Sequence, residues 1–197
     1  MRMRHTEKAV GHQHIYSGRI YDVERYDVEL ETSARAVREV IRHPGGACVV
    51  AVDAQDCLLM VRQFRFPAGR ELLELPAGKL EPNEDPMTAA LRELEEETGF
   101  RTDRLELLSA ALPTPAYCSE VLYIYLAGAL ERTAQHLDAD EHLSVERIPF
   151  DTAVRMVRAG EIPDAKTQIG ILLAEARRRP GACGWAADAT DGKGAKQ

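Results

Sequence analysis

Apolar and polar positions alternate in short runs through the first forty-odd residues, as in Ile20-Tyr21-Asp22-Val23, Tyr26-Asp27-Val28-Glu29-Leu30 and Ala36-Val37-Arg38-Glu39-Val40-Ile41. A period of two sends successive side chains to opposite faces, so these pieces predict a small antiparallel sheet. After the turn signal His43-Pro44-Gly45-Gly46 come two apolar runs, Ala47 to Val52 and Cys57 to Phe64, separated by Asp53-Ala54-Gln55-Asp56. They predict a hairpin. Further strands are expected over Glu71 to Leu75, Leu105 to Ala110, Val121 to Ala127 and Leu143 to Ile148, and helices over Phe150 to Ala159 and Thr167 to Arg178. The best-defined helix spans 86 to 98: Asp85 is placed to cap it, Pro86 suits its first position and Gly99 can end it in a left-handed conformation.

Strands and helices without regular βαβ alternation predict an α+β fold, a mixed sheet between helices in an α/β/α sandwich, with the small N-terminal sheet added. The expected division is a strand-rich segment over 1–43, a main domain over 44–179 and a disordered tail over 180–197. In that tail composition collapses to small and polar residues around Trp185.

Composition narrows the function. The 197 residues carry 32 acids against 25 bases, a net charge of −7, which argues against a nucleic-acid footprint. No apolar run approaches the roughly 18 residues of a membrane span, and the polar N-terminus has no secretory h-region, so a cytoplasmic protein is expected. The four cysteines, at 48, 57, 118 and 183, show no paired spacing and are expected as reduced thiols rather than zinc ligands.

The chemistry concentrates on the 86–98 helix. At 100° per residue Glu93, Glu96 and Glu97 fall within roughly a third of the circumference, and Met87, Leu91 and Leu94 occupy another sector. This predicts one packed face and a separate carboxylate face. Clustered carboxylates repel one another, and such hard oxygen donors suit Mg²⁺ or Mn²⁺. An isolated E-x-x-E-E, however, is more often a solvated acidic face.

The surrounding residues change that reading. Gly78, Glu84, Arg92, Glu93, Leu94, Glu96, Glu97, Gly99 and Phe100 match the pattern G-x5-E-x7-R-E-U-x-E-E-x-G-U, in which U is a bulky apolar residue. A chance match in a chain this long is on the order of one in ten million. The segment resembles the Nudix box. The resemblance implies that Glu93, Glu96 and Glu97, with the Ala77 carbonyl, hold divalent metal, and that Glu84 and Arg92 brace the loop against the helix. It further implies attack of water on a nucleoside diphosphate linked to another group. Gly78 lets the backbone turn where metal approaches.

Flanking segments resemble the ADP-ribose pyrophosphatase branch of that family. They are Gln63-Phe64-Arg65, Glu71 to Gly78 including Glu74, and Leu112 to Glu120 with Pro115 at the branch's proline, together with Gly160 to Thr167. Ala116 and Ser119 depart from the branch's glycine and aspartate. The likeness implies Arg65 as a phosphate contact, and Glu74 and Pro115 as substrate-site residues. It also implies a homodimer in which Tyr16, Tyr21 or Val28 walls the adenine pocket. Lys166 is equally suited to helix packing and to substrate contact. For the general base, Glu141 in the acidic loop is first choice and Glu120 second. The expected reaction is Mg²⁺-dependent hydrolysis of ADP-ribose to AMP and ribose 5-phosphate. GDP-mannose as substrate and a non-catalytic nucleotide-binding regulator are the alternatives.

Overall fold

The computed structural model describes residues 5–137 and 142–178. Three antiparallel strands come first, β1 (Glu7–Ser17), β2 (Asp22–Leu30) and β3 (Arg35–Arg42), in that order across a separate sheet. β1 begins well before the first run the alternation singles out. Two register shifts, between Ala9 and Gly11 and between His14 and Tyr16, break its period of two, which is why the pattern misses it. Ile20 and Tyr21 lie in the turn before β2, where the Gly18 N–H donates to the Tyr21 carbonyl at 3.0 Å.

The main sheet follows with β4 (Gly46–Val52), β5 (Cys57–Arg65), β6 (Arg70–Glu74) and β7 (Ala77–Lys79). Beyond the first helix come β8 (Phe100–Arg101), β9 (Arg104–Ala111), β10 (Leu122–Gly128), β11 (Glu131–Arg132) and β12 (Leu143–Pro149). Its order is β12-β5-β4-β10-β9, with β6 on β5 and β7 on β4, while β8 and β11 pair apart. The β4–β10 pair is parallel and the others are antiparallel, so the sheet is mixed as expected.

One irregularity prepares the site. β4 and β5 pair only at Ala51–Leu59 and Val52–Leu58, and then diverge. Past that point β5 takes β6 as partner and β4 takes β7. The chain from Glu74 to Ala77 therefore crosses the opening, where Val49 N–H donates to the Pro76 carbonyl at 3.0 Å.

Helices α1 (Pro86–Thr98), α2 (Phe150–Arg158) and α3 (Ala165–Arg178) cover the two faces. Ala47, Val49 and Ala51 of β4 face α1 through Ala89, Ala90 and Leu94, while Cys48 and Val50 join Ala153, Val154, Ile171 and Ala174 of α2 and α3. Burial on both faces is why β4 reads as an unbroken apolar run. Leu94 alone, fully buried, contributes about 2 kcal/mol by removal from water. Burial among these residues also pushes the Cys48 thiol up to about 12.

Candidate active site

α1 has the ends its sequence predicts. Asp85 Oδ2 accepts from the N–H groups of Met87 and Thr88 at 3.0 and 3.2 Å, and Gly99, at φ 67°, returns its N–H to Glu95. Its faces differ from the helical-wheel expectation. Met87 is 44% exposed and Leu91 only partly covered, whereas Glu93 and Glu97 are buried beside Ala89, Ala90 and Leu94. The packed and carboxylate stripes thus share one side of the helix, because two alanines let α1 approach the sheet closely. Glu93 and Glu97 then face the opening between β4 and β5, not bulk solvent.

Each box residue has an identifiable contact. Arg92 grips Glu84 through Nε and Nη2 at 3.0 and 3.1 Å, and its Nη1 donates to Glu93 at 2.7 Å and Glu96 at 3.0 Å. Glu97 accepts the Ala77 N–H at 2.8 Å, fixing the loop to the helix one turn further on. A Cβ on Gly78 would overlap the Glu93 carboxylate, so only glycine permits this approach of loop and helix. Among the described residues no ready-made cage of three metal-binding side chains is closed. The donor set nevertheless fits a hard divalent cation: Arg92 Nη1 already brings a positive charge between Glu93 and Glu96, and Glu97 and the Ala77–Gly78 turn complete an oxygen-rich wall.

A cleft of about 370 Å³ opens beside Ala77, Gly78 and Lys79, lined also by Arg65, Glu120, Pro113, Lys166 and His43. A larger hollow, about 640 Å³, lies among Val52, Met87, Leu105 and Arg178 and includes neither the Ala77–Gly78 turn nor Arg65 and Lys166. Chemistry, not size, assigns the site to the smaller one. In it Arg65 forks onto Glu74 through Nε and Nη2, both at 2.8 Å, leaving Nη1 for a ligand. Lys166 bridges Glu74 and Asp164, and Asp164 caps α3 through the Thr167 N–H at 3.0 Å. Burial pushes the Glu74 carboxyl up, but the Arg65 hydrogen bonds and the Lys166 charge outweigh it and hold it at about 2.

Several sequence expectations need correcting here. Glu74 is 1% exposed and bound to two cations, so it positions them and does not itself face substrate. Pro115 is exposed in the turn closed by Cys118 N–H to the Thr114 carbonyl, and Pro113 lines the cleft instead. Val28 is buried at 5% exposure within its own sheet, which rules it out as a wall of an open pocket. Tyr21 is exposed and packs tilted against Tyr16, ring centres 6.5 Å apart. Glu120 reaches the cleft, while Glu141 lies outside the described residues. Sequence reasoning passed over Asp164 and His43. Only the His43-Pro44-Gly45-Gly46 turn hinted that His43 lies at a junction.

This split mixed sheet, with a glutamate-rich helix held against a glycine turn, defines a class of phosphate-bond hydrolase folds. The chain belongs to the NUDIX domain family, whose profile matches residues 42–169. It is 38% identical over 167 residues to an ADP-ribose pyrophosphatase of Bacillus subtilis, covering 84% of this chain and 90% of the relative. It is 37% identical over 167 residues to a methanol dehydrogenase activator of Bacillus methanolicus, with the same shares covered. A crystal structure of an ADP compounds hydrolase superposes with a TM-score of 0.78 at 22% identity, over 89% of this chain and 95% of that one, and shares its fold. Nudix hydrolases generally need a divalent metal.

Proposed function

We propose that this protein hydrolyses the pyrophosphate bond of ADP-ribose, giving AMP and ribose 5-phosphate, with Mg²⁺ as the working metal and Mn²⁺ as a substitute. The observation that carries the reading is the Ala77–Gly78 turn, which is held against Glu97 and Glu93 on one side and lines the cleft of Arg65 and Lys166 on the other. The ADP-ribose pyrophosphatase relative supports the choice of substrate. A divalent cation, when bound by those carboxylates and the Ala77 carbonyl, supplies charge neutralisation and water activation. Arg65 Nη1 and the remaining Lys166 N–H bind diphosphate oxygens, oriented by Glu74. Glu141, or else Glu120, takes the proton of the attacking water as its oxygen bonds to phosphorus and the bridging oxygen departs. The working unit is a homodimer.

A turnover screen with millimolar Mg²⁺ across ADP-ribose, GDP-mannose, diadenosine polyphosphates, NADH and nucleoside triphosphates tests this. AMP release from ADP-ribose should be fastest. Preferred turnover of GDP-mannose or a triphosphate would remove the substrate assignment and leave family membership untouched.

A further inference from the structure

The turn between β3 and β4 is clamped at four points. His43 N–H donates to Ser119 Oγ at 3.0 Å, and Gly46 N–H donates to the Val121 carbonyl at 3.0 Å. The Gly45 carbonyl accepts Leu80 N–H at 3.0 Å, and Gly45 N–H turns back onto His43 Nδ1 at 3.1 Å. That last bond needs Gly45 at φ +95°, a conformation closed to other residues, and a Cβ there would meet the Val121 carbonyl at 3.0 Å.

The consequence is a defined tautomer. An amide N–H pointing at Nδ1 makes that nitrogen an acceptor, so the ring proton resides on Nε2. Glu120 Oε1, 3.7 Å from the same Nδ1, is then a neighbour and not a hydrogen-bonded ion-pair partner. Among the described residues Nε2 has no hydrogen-bond partner, and no unpartnered side-chain nitrogen or oxygen is shut off from solvent. The Nε2–H of this largely covered ring is therefore not sealed from solvent, and His43 stands between the cleft of Arg65, Gly78, Glu120 and Lys166 and a neighbouring hollow lined by Tyr21, Arg42 and Ser119.

We propose that His43 is a substrate-binding residue, its Nε2–H a fixed, uncharged donor to a diphosphate oxygen of the nucleotide. The inference rests on the reading of this cleft as the diphosphate site. It explains why the ring is oriented by backbone from its far side: a donor positioned before binding loses little freedom on engagement. Being uncharged in this tautomer, it adds a contact without competing with metal for the carboxylates. Arg65 and Lys166, which line the same cleft, supply the cationic contacts.

Two amide substitutions separate this role from a structural one. Glutamine places its NH₂ near the position of Nε2, while asparagine reproduces the Nδ1 side and presents no group at Nε2. In the full-length protein with saturating Mg²⁺, His43→Asn should raise KM for ADP-ribose about tenfold or more, with a smaller change in kcat. His43→Gln should recover most of that loss although it abandons the Gly45 bond. The ratio of variant to wild-type KM should be the same on GDP-mannose wherever both are turned over, because the diphosphate is common to them. Wild-type KM in His43→Asn, or a loss in His43→Gln as large as in His43→Asn and accompanied by a lower Tm, overturns the proposal. A loss confined to one nucleotide sugar also overturns it. Failure of wild-type protein to prefer ADP-ribose over GDP-mannose refutes the substrate reading alone, since the variant ratio is read on whichever substrate is used.

Discussion

Arg92 takes both carboxylate oxygens of Glu84, at 3.0 and 3.1 Å, eight residues back along the chain. The same guanidinium reaches Glu93 and Glu96 through Nη1, so one side chain ties the loop before α1 to the carboxylates on it. The Arg92 hydrogen bonds hold the Glu84 carboxyl below its ordinary value.

Lysine has no planar fork, and its three N–H donors cannot reproduce the two-point grip on Glu84 together with the bonds to Glu93 and Glu96. Arg92→Lys should raise the Mg²⁺ concentration for half-maximal activity at least tenfold and cost about 1–3 kcal/mol of stability, the usual range for lost charged hydrogen bonds. Metal titration of activity and urea unfolding without metal test the two halves separately. Wild-type metal dependence in the variant would show that the brace is dispensable.

Metal holding and proton transfer should separate at two glutamates. Glu97→Gln keeps an oxygen to accept the Ala77 N–H, so the fold should survive with Tm within about 3 °C, roughly 1 kcal/mol for a chain of this size. Activity should fall at least a hundredfold because the substitution removes a negative charge from the cation's ligand set and an uncharged amide holds the cation more weakly than a carboxylate. Glu141→Gln should lower kcat with apparent Mg²⁺ affinity nearly unchanged. If Glu141→Gln has wild-type kcat across the pH range, Glu120 becomes the base to test.

The Glu74 cluster sets a pH dependence. Its carboxyl, ordinarily at 4.5, is held at about 2 in the folded protein. Between those values the folded chain binds fewer protons at this site than the unfolded chain, so stability falls as pH drops through about 4.5 to 2 and is fully present above about 5. A displacement of that size corresponds to about 3 kcal/mol at neutral pH. Glu74→Gln should therefore be less stable by about that amount at pH 7, and the gap should close towards pH 2. Urea unfolding of both proteins at pH 7 and pH 3 measures it; a gap independent of pH would mean that packing, not charge, accounts for the loss.

Local signals were the ones that sequence carried. The limits of α1 are written in Asp85, Pro86 and Gly99, and β4 in its run from Ala47 to Val52, because caps and burial act on neighbours. The orientation of Glu93 and Glu97 was not legible, since a helical wheel gives weight to bulky residues whereas Ala89 and Ala90 make the close contact. Glu74 was recognised only by resemblance. Its burial depends on Arg65 nine residues away and Lys166 ninety-two residues away. His43 depends in the same manner on Ser119, seventy-six residues on. Contacts of that range appear only once the sheet has brought the segments together.

The exposed edge of the N-terminal sheet leads to the last prediction. β1 pairs with β2 alone among the described residues, and Val10, Ile15 and Tyr16 on it are 40%, 52% and 55% exposed. A long edge strand with open backbone groups and apolar side chains invites pairing with another chain, and small sheets are marginal without a packing partner. A two-fold arrangement satisfies both copies at once. Light scattering of the full-length protein should therefore give a dimer. Val10→Asp combined with Ile15→Asp, both on exposed positions, should give a folded monomer that has lost at least tenfold in ADP-ribose turnover, because in the proposed dimer Tyr16 and Tyr21 wall the neighbouring site. Deletion of the strands is a poorer test, since Ile41 N–H bonds the Tyr117 carbonyl at 2.7 Å and Ser119 N–H bonds the Ile41 carbonyl at 2.9 Å, so removing β3 disturbs the cleft directly. A full-length protein that is monomeric and fully active would refute the shared site outright.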